Sequence, residues 1–396
     1  MVVGLFGNMN NNFFSLCRYL RDQGIDARLF LMSEQPHFLP EADTFNPNYK
    51  EYTFQLNWYK KTWWKISKAQ IKKDIEGIDF FITTDWTPSY LQKAGVKPDL
   101  FIPHGSDLFD KPFYKFKRFI PKRYEIGSYL QSKAQLKGIN NCSYFMMEQF
   151  YSHLENFFFK LNFKGERLYQ TVPMVYIEKE STRINLSENL ISQLNNLKEF
   201  KKKGGFNAIY HSRHAWIGDA LGFNKKGTEI ILRGIKQFIF KFNLKPCDFK
   251  LITFEYGVDL VESKKLIKEL GIEGYIYWLP LTSRKELLSF LEISNVSIGQ
   301  VGKSALTNGV ILETLAYGVP LISNRDDSKY SYRKNLYPMW HADDLVSVVN
   351  SLENVYFNRE KALLKGKKGK EWYKKEIVET SVSSIIKIIY ERYKTV

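Results

Sequence analysis

Short apolar runs that end in small polar residues recur along the chain, and stretches of helical spacing separate them. Val2 to Phe6 is the first run and reads as a buried strand. The polar loop from Gly7 to Asn12 follows. Apolar positions at Phe13, Leu16, Cys17 and Leu20 then mark a helix that Gly24 closes. Residues 25–32 (IDARLFLM) are the next strand, so the chain opens β–loop–α–β with a right-handed crossover expected. Further strands are expected at 78–85, 99–107, 142–147 and 166–176, with a short helix from Pro88 to Ala94. Residues 178–204 are polar and Lys-rich, as a linker carrying a helix would be.

The second half repeats the alternation. Strands are expected at 206–214, 248–257, 274–281 and 295–300. A helix starts at Lys226-Gly227-Thr228, with Ile230, Ile231, Gly234, Ile235 and Phe238 on its inner side. Another spans Val258 to Leu270, and Ser283 with Glu286 forms a capping box for the next. Then comes SALTNGVILETLAYGVPLI, Ser304 to Ile322. Thr307 and Asn308 are N-cap residues, Gly318 ends the helix and Pro320 forbids its return. A small polar loop feeding a helix start leaves backbone N–H groups for a phosphate, at Gly309 and Val310. Glu313 lies about one turn further in, within reach of a hydroxyl. The last segment, from about Glu371, reads as one long helix. Strands alternating with helices predict doubly wound parallel sheets. No internal repeat of fixed period is visible.

Length places two such domains in the 396 residues, and a composition of 44% hydrophobic and 25% charged residues excludes disorder. No apolar run approaches the roughly 20 residues of a spanning helix. MVVGLFGN lacks a charged n-region, so it reads as a strand and not a signal peptide. Three widely spaced cysteines, Cys17, Cys142 and Cys247, fit no disulfide or zinc pattern and suit a reducing cytosol.

The formal net charge of +16 implies an acidic partner. Residues 50–73 carry seven Lys against one Glu, with aromatic residues between them. Trp58, Trp63, Trp64, Lys60, Lys61 and Lys65 are read as an exposed patch for an anionic bilayer surface. Trp63, Ile66 and Gln70 are placed on one helix face. Residues 113–138 form a second basic–aromatic block.

Candidate chemistry sits at strand ends, where open α/β sheets bind ligands. His104, Ser106 and Asp107 end one strand, and His211, Ser212 and Arg213 end another. Arg213 and Lys226 together suit a diphosphate. Glu313 suits a ribose diol, and Trp278-Leu279-Pro280 a base. The GxGxxG dinucleotide pattern is absent, and no DxD pair stands in a convincing place.

These residues carry a resemblance. GNMNNN before the first helix, HGSD, R…KKG and NGVILETLAYGVPLI resemble GT-B glycosyltransferases of the large retaining family 4. The resemblance implies an α/β chain of GT-B architecture, with two Rossmann-like domains facing a cleft. Residues 1–174 are then the acceptor domain and 175–374 the nucleotide-sugar domain. Residues 375–396 would be a helix crossing back to the first domain. Arg213 and Lys226 would hold the diphosphate, with His104 by the donor sugar. Glu313 would contact the ribose. Thr307, Asn308, Gly309, Val310, Leu279, Gly7, Asn8, Asn11 and Asn12 would complete the donor site. Ser106 and Asp107 would lie near the sugar or acceptor. One departure stands out: the first acid of the family's E-x7-E pattern falls on Ala305.

The function so implied is transfer of a sugar, with retention, from a nucleoside-diphosphate sugar to a lipid-linked or polysaccharide acceptor. The setting would be surface-glycan synthesis on the cytoplasmic side of a plasma membrane. No cofactor, metal or nucleic-acid partner is called for. A sugar-nucleotide epimerase on the same fold, a catalytically impaired nucleotide-sugar-binding module and a nucleic-acid binder are the other readings. The first of these lacks an identifiable pair of proton-transfer acids, and the second draws on Ala305.

Overall fold

A computed structural model describes residues 1–32, 38–58, 63–116, 122–148, 160–178, 185–217 and 226–394. The chain divides into two compact units, Met1–Tyr176 with Glu376–Val396, and Ile177–Lys375.

The first unit is built on seven parallel strands in the order β3-β2-β1-β4-β5-β6-β7. They are β1 (Val2–Phe6), β2 (Asp26–Leu31), β3 (Thr53–Gln55), β4 (Phe80–Thr83), β5 (Leu100–Phe101), β6 (Tyr144–Met146) and β7 (Glu166–Leu168). β1 and β4 are covered on both faces, which is why they read as continuous apolar runs. One core gathers Val3, Leu5, Phe13, Leu16 and Leu20 against Val382, Ile385 and Ile389 of the last helix, Thr380–Lys394. A second lies around Phe6, Trp58, Trp86 and Tyr90.

The second unit holds six parallel strands in the order β10-β9-β8-β11-β12-β13. They are β8 (Phe206–Tyr210), β9 (Phe249–Phe254), β10 (Ile276–Leu279), β11 (Val296–Ile298), β12 (Leu321–Ser323) and β13 (Trp340–His341). Helix Thr228–Lys241 buries Ile231, Leu232, Ile235 and Phe238 on this sheet. Gly234 lets it approach its neighbour closely, since a Cβ there meets Val348 at 2.6 Å. Ser283 and Glu286 do form the expected capping box.

Four expectations change. The run 99–107 is a strand only over Leu100–Phe101, and a short helix begins at Ser106 once Gly105 has turned the chain at φ +136°. Trp63 and Ile66 precede the helix Lys68–Asp74, so they share no helix face with Gln70. The single C-terminal helix is two, Arg359–Trp372 and Thr380–Lys394, joined by a π-helical segment, Tyr373–Glu379. Finally, Trp58 is no surface residue. It is fully buried, donates its indole N–H to Asp74 at 2.8 Å and stacks on Tyr90 at 5.1 Å. Trp63 is half-buried, with its N–H on Ser89 O at 3.2 Å and Lys93 over its ring. Trp64 and Lys65 are exposed, whereas Lys60 and Lys61 lie outside the described residues. Among the described residues no helix is long and apolar enough to cross a membrane.

Candidate functional site

In the second unit, β8 and β11 are neighbours whose connections leave in opposite directions. Ligands of such sheets bind beyond the carboxyl ends at this point. Gly227 has φ +75°, and a Cβ there meets the Gly302 amide nitrogen at 2.6 Å. Only glycine lets the two loops run this close. The approach sets the Lys226 ammonium beside Gln300, whose Oε1 accepts at 3.2 Å. Burial lowers the Lys226 pKa, and the charges of Arg213 and Lys303 push it the same way. Three cations thus share one strand edge, an arrangement that an anion relieves.

Helix Gly309–Tyr317 starts at the same edge. Asn308 caps it, its Oδ1 accepting the Ile311 N–H at 3.0 Å. The Gly309 and Val310 amides precede the first intrahelical bond, so they mark the positive end of the helix. Glu313 is buried one turn on. Arg284 Nε donates to its Oε1 at 2.8 Å, and His211 Nε2 stands 3.3 Å from Oε2. Burial alone would raise the Glu313 pKa, but the His211 and Arg284 contacts outweigh it and the net shift is downward. The group is a carboxylate at neutral pH. In the same unit His214 is buried with Nε2 3.0 Å from Thr253 Oγ1, and burial pushes its pKa down to about 4.

The first unit has its own switch point, between β1 and β4. Asn10 and Asn11 adopt left-handed φ of 52° and 57°, which asparagine tolerates. Asn8 ties the loop together: its Oδ1 accepts the Phe14 N–H at 2.9 Å and its Nδ2 donates to Asn11 Oδ1 at 2.7 Å. Asn11 Nδ2 reaches Leu39 O at 3.3 Å. Asn12 Nδ2 lies 3.3 Å from His104 Nδ1. Asn12 Oδ1 and His104 Nε2 are buried without a partner. Burial lowers the His104 pKa to about 4, so its ring is neutral near pH 7. Asp107 organises the loop around it, accepting the N–H groups of His104 at 3.0 Å, Gly105 at 2.8 Å and Asp85 at 3.1 Å. Burial outweighs these bonds and raises its pKa to about 6.

No family model and no curated protein matches the sequence. Solved structures do match. Sucrose-phosphate synthase from Thermosynechococcus elongatus aligns with TM-score 0.60 at 12% identity, over 100% of this chain and 99% of that one. Anabaena HepE, solved with UDP and glucose, gives 0.58 at 12% identity over 99% of this chain and 100% of that one. The lipopolysaccharide outer core galactosyltransferase WaaB, in its apo form, gives 0.53 at 12% identity over 99% and 100% of the two chains. The chain has the GT-B fold.

Within this GT-B chain the strand-end residues fall into two clusters. Arg213, Lys226, Thr307, Asn308, Gly309, Val310 and Glu313 all belong to the second unit's carboxyl edge. His104, Ser106, Asp107 and the Gly7–Asn12 loop belong to the first unit's. Many of these groups already have protein partners. The Gly7 N–H is taken by Phe30 O at 2.9 Å, and the Asn8 and Asn11 amides are spent on the loop itself. Asn12 alone of that group keeps a buried oxygen unpaired. Leu279 is fully buried and its carbonyl accepts the Glu255 N–H at 2.9 Å. Asp107 has its oxygens on backbone N–H groups and acts on the loop, while Ser106 is exposed. Both Glu313 oxygens already meet protein cations or rings. Arg284, Gln300 and Lys303 were not anticipated. Arg284 follows the Ser283 cap just past β10, and that strand-end position was its signal.

Proposed function

We propose that the chain is a glycosyltransferase whose second unit holds a nucleoside-diphosphate sugar. The observation that carries this is the grouping of Arg213, Lys226 and Lys303 at the edge where helix Gly309–Tyr317 begins. Cations and free helix amides at one edge suit two linked phosphates. HepE, of like fold, was solved with UDP and glucose, which supports a nucleotide-sugar donor here. The reaction breaks the bond from the sugar C1 to the β-phosphate oxygen and forms one to an acceptor oxygen. Charge gathers on the leaving diphosphate, where Arg213, Lys226 and the Gly309 and Val310 amides meet it. The acceptor proton goes to the departing phosphate oxygen on the same face, so the anomeric configuration is retained and no protein base is needed. This family 4-like, hexosyl-transferring form is our finer reading, with a lipid-linked or polysaccharide acceptor of surface-glycan synthesis. No metal takes part in it. The first unit's loop of His104 and Asn12, with its unpaired Nε2 and Oδ1, suits the hydroxyl groups of an acceptor.

A thermal-shift screen of UDP-, GDP- and ADP-sugars tests donor binding, and turnover with the stabilising donor tests transfer. Arg213→Ala and Lys226→Ala should each lower turnover about 100-fold with circular dichroism unchanged. Near-normal turnover in both would refute the diphosphate role. Ala305 favours a second reading, a binding module without transfer. There, position 305 offers a methyl group and a backbone N–H bonded to Asn324 O at 3.2 Å. Donor binding without transfer or hydrolysis would select it.

A further inference from the structure

Helix Arg123–Asn141 is packed inside out. Its buried side is polar: Glu125, Gln131, Ser132 and Gln135 are all at most 2% exposed. These residues stitch loops. Gln135 accepts the Ser89 N–H at 3.2 Å and donates to Asp85 O at 2.6 Å, and Ser132 Oγ accepts the Tyr114 N–H at 3.1 Å. Gly138 lets the helix press on Pro88, whose carbonyl oxygen would lie 2.4 Å from a Cβ. Ile139 near the far end is buried too, with Leu136 packed beside it, but three residues of the first half face out. Tyr124 is 55% exposed, Leu130 51% and Ile126 44%.

Two aromatic residues from elsewhere extend this face. The Trp64 ring lies over Gly127 and is itself 48% exposed. Phe116 is 41% exposed and stacks on Tyr129 at 4.8 Å. Single exposed hydrophobic residues need no explanation, but a contiguous set with a charged rim marks an interaction surface. Among the described residues of 114–141 the exposed charges are all basic. Lys65, Lys115, Lys122, Arg123, Lys133 and Lys137 are exposed, whereas the acid of this helix, Glu125, is buried.

We propose that this face lies on an anionic lipid bilayer. Tyr124, Ile126, Leu130 and Trp64 enter the boundary between headgroups and acyl chains, and the lysines stay among the headgroups. Charge argues against a second copy of the chain, because a two-fold contact would set one basic rim against another. Aliphatic Ile126 and Leu130 argue against nucleic acid, whose phosphates and bases give them nothing to enter. The proposal goes beyond glycosyl transfer and does not rest on it.

The test is sedimentation of the full chain with phosphatidylcholine vesicles, with and without phosphatidylglycerol. The wild type should sediment with the phosphatidylglycerol vesicles alone, less so as salt rises. Ile126→Glu with Leu130→Glu should weaken partition about tenfold or more, and Lys133→Glu with Lys137→Glu should do likewise. All four positions are exposed, and circular dichroism checks the fold. A wild type that stays in the supernatant overturns the proposal, as do variants that sediment like it. So does light scattering that shows a dimer which Ile126→Glu with Leu130→Glu makes monomeric, or an oligonucleotide bound more tightly than the vesicles.

Discussion

Glu313 shows how a single residue changes meaning between sequence and structure. Its helical position suggested a hydroxyl partner, yet Arg284 and His211 already hold the carboxylate. Removing Arg284 leaves a buried carboxylate short of its cation, which costs about 3 kcal/mol or more. Arg284→Ala should therefore lower unfolding stability by that order, and adding Glu313→Gln should recover most of it. Denaturant unfolding of both singles and the double variant measures the coupling, and additive losses would refute the pairing. The buried histidines carry a pH dependence. His104 and His214 titrate near 4 in the folded chain against 6.5 in the unfolded one. The unfolded chain binds their protons first, so the stability they contribute is present above 6.5 and lost as pH falls to about 4. Asp107 opposes this: its folded value of about 6 exceeds the ordinary 3.8, so its contribution is full below 3.8 and lost as pH rises through 6. His214→Gln, which can still bond Thr253, should flatten the acid limb of a melting-temperature profile. An unchanged profile would show that His214 binds its proton equally well in the folded and unfolded chains.

At the scale of elements, caps and close approaches decide whether the cation edge forms. Asn308→Ala removes the bond to Ile311 and should cost about 1 kcal/mol. Gly227→Ala meets both a left-handed φ of +75° and a 2.6 Å contact with Gly302, so it should cost about 1–3 kcal/mol. Because Gly227 sets the Lys226 loop, this variant should also weaken nucleotide binding in a thermal-shift titration, whereas Asn308→Ala acts through the helix start alone. These features were legible because caps and glycines are local signals. β1, β8 and helix Thr228–Lys241 were legible too, as buried runs or a clear stripe. β3 spans three residues and β13 two, too few for any period to show. Helix Arg123–Asn141 escaped because its inner side is polar and makes no apolar stripe. Trp58 misled because basic neighbours suggested a surface, while Asp74 gives its N–H a buried partner. The strand-end position of Arg284 was a local signal, but its bond to Glu313, 29 residues away in the chain, is one no local pattern carries.

For the whole molecule, the instructive fact is where the last helix spends its apolar residues. Val382, Ile385, Ile388 and Ile389 join the core of β1 and β2, although more than 340 residues of chain separate them from those strands. The second sheet's core, from Phe206 to Ala362, draws on its own unit. Stability in the two sheets should then be separable. Ile385 is fully buried, so Ile385→Ala loses its transfer energy and leaves a cavity, about 2–5 kcal/mol in all. Hydrogen exchange read by mass spectrometry reports that loss segment by segment. Peptides covering β1, β2 and β4 should exchange faster in the variant, by a factor that matches the lost stability. Peptides covering β8, β9 and β11 should keep wild-type protection. Nucleotide binding by the Lys226 edge should persist, since that edge belongs to the second unit and Ile385 to the core of the first. Equal loss of protection in both sheets would mean that they unfold as one cooperative unit, and that the C-terminal helix stabilises the second sheet as much as its own.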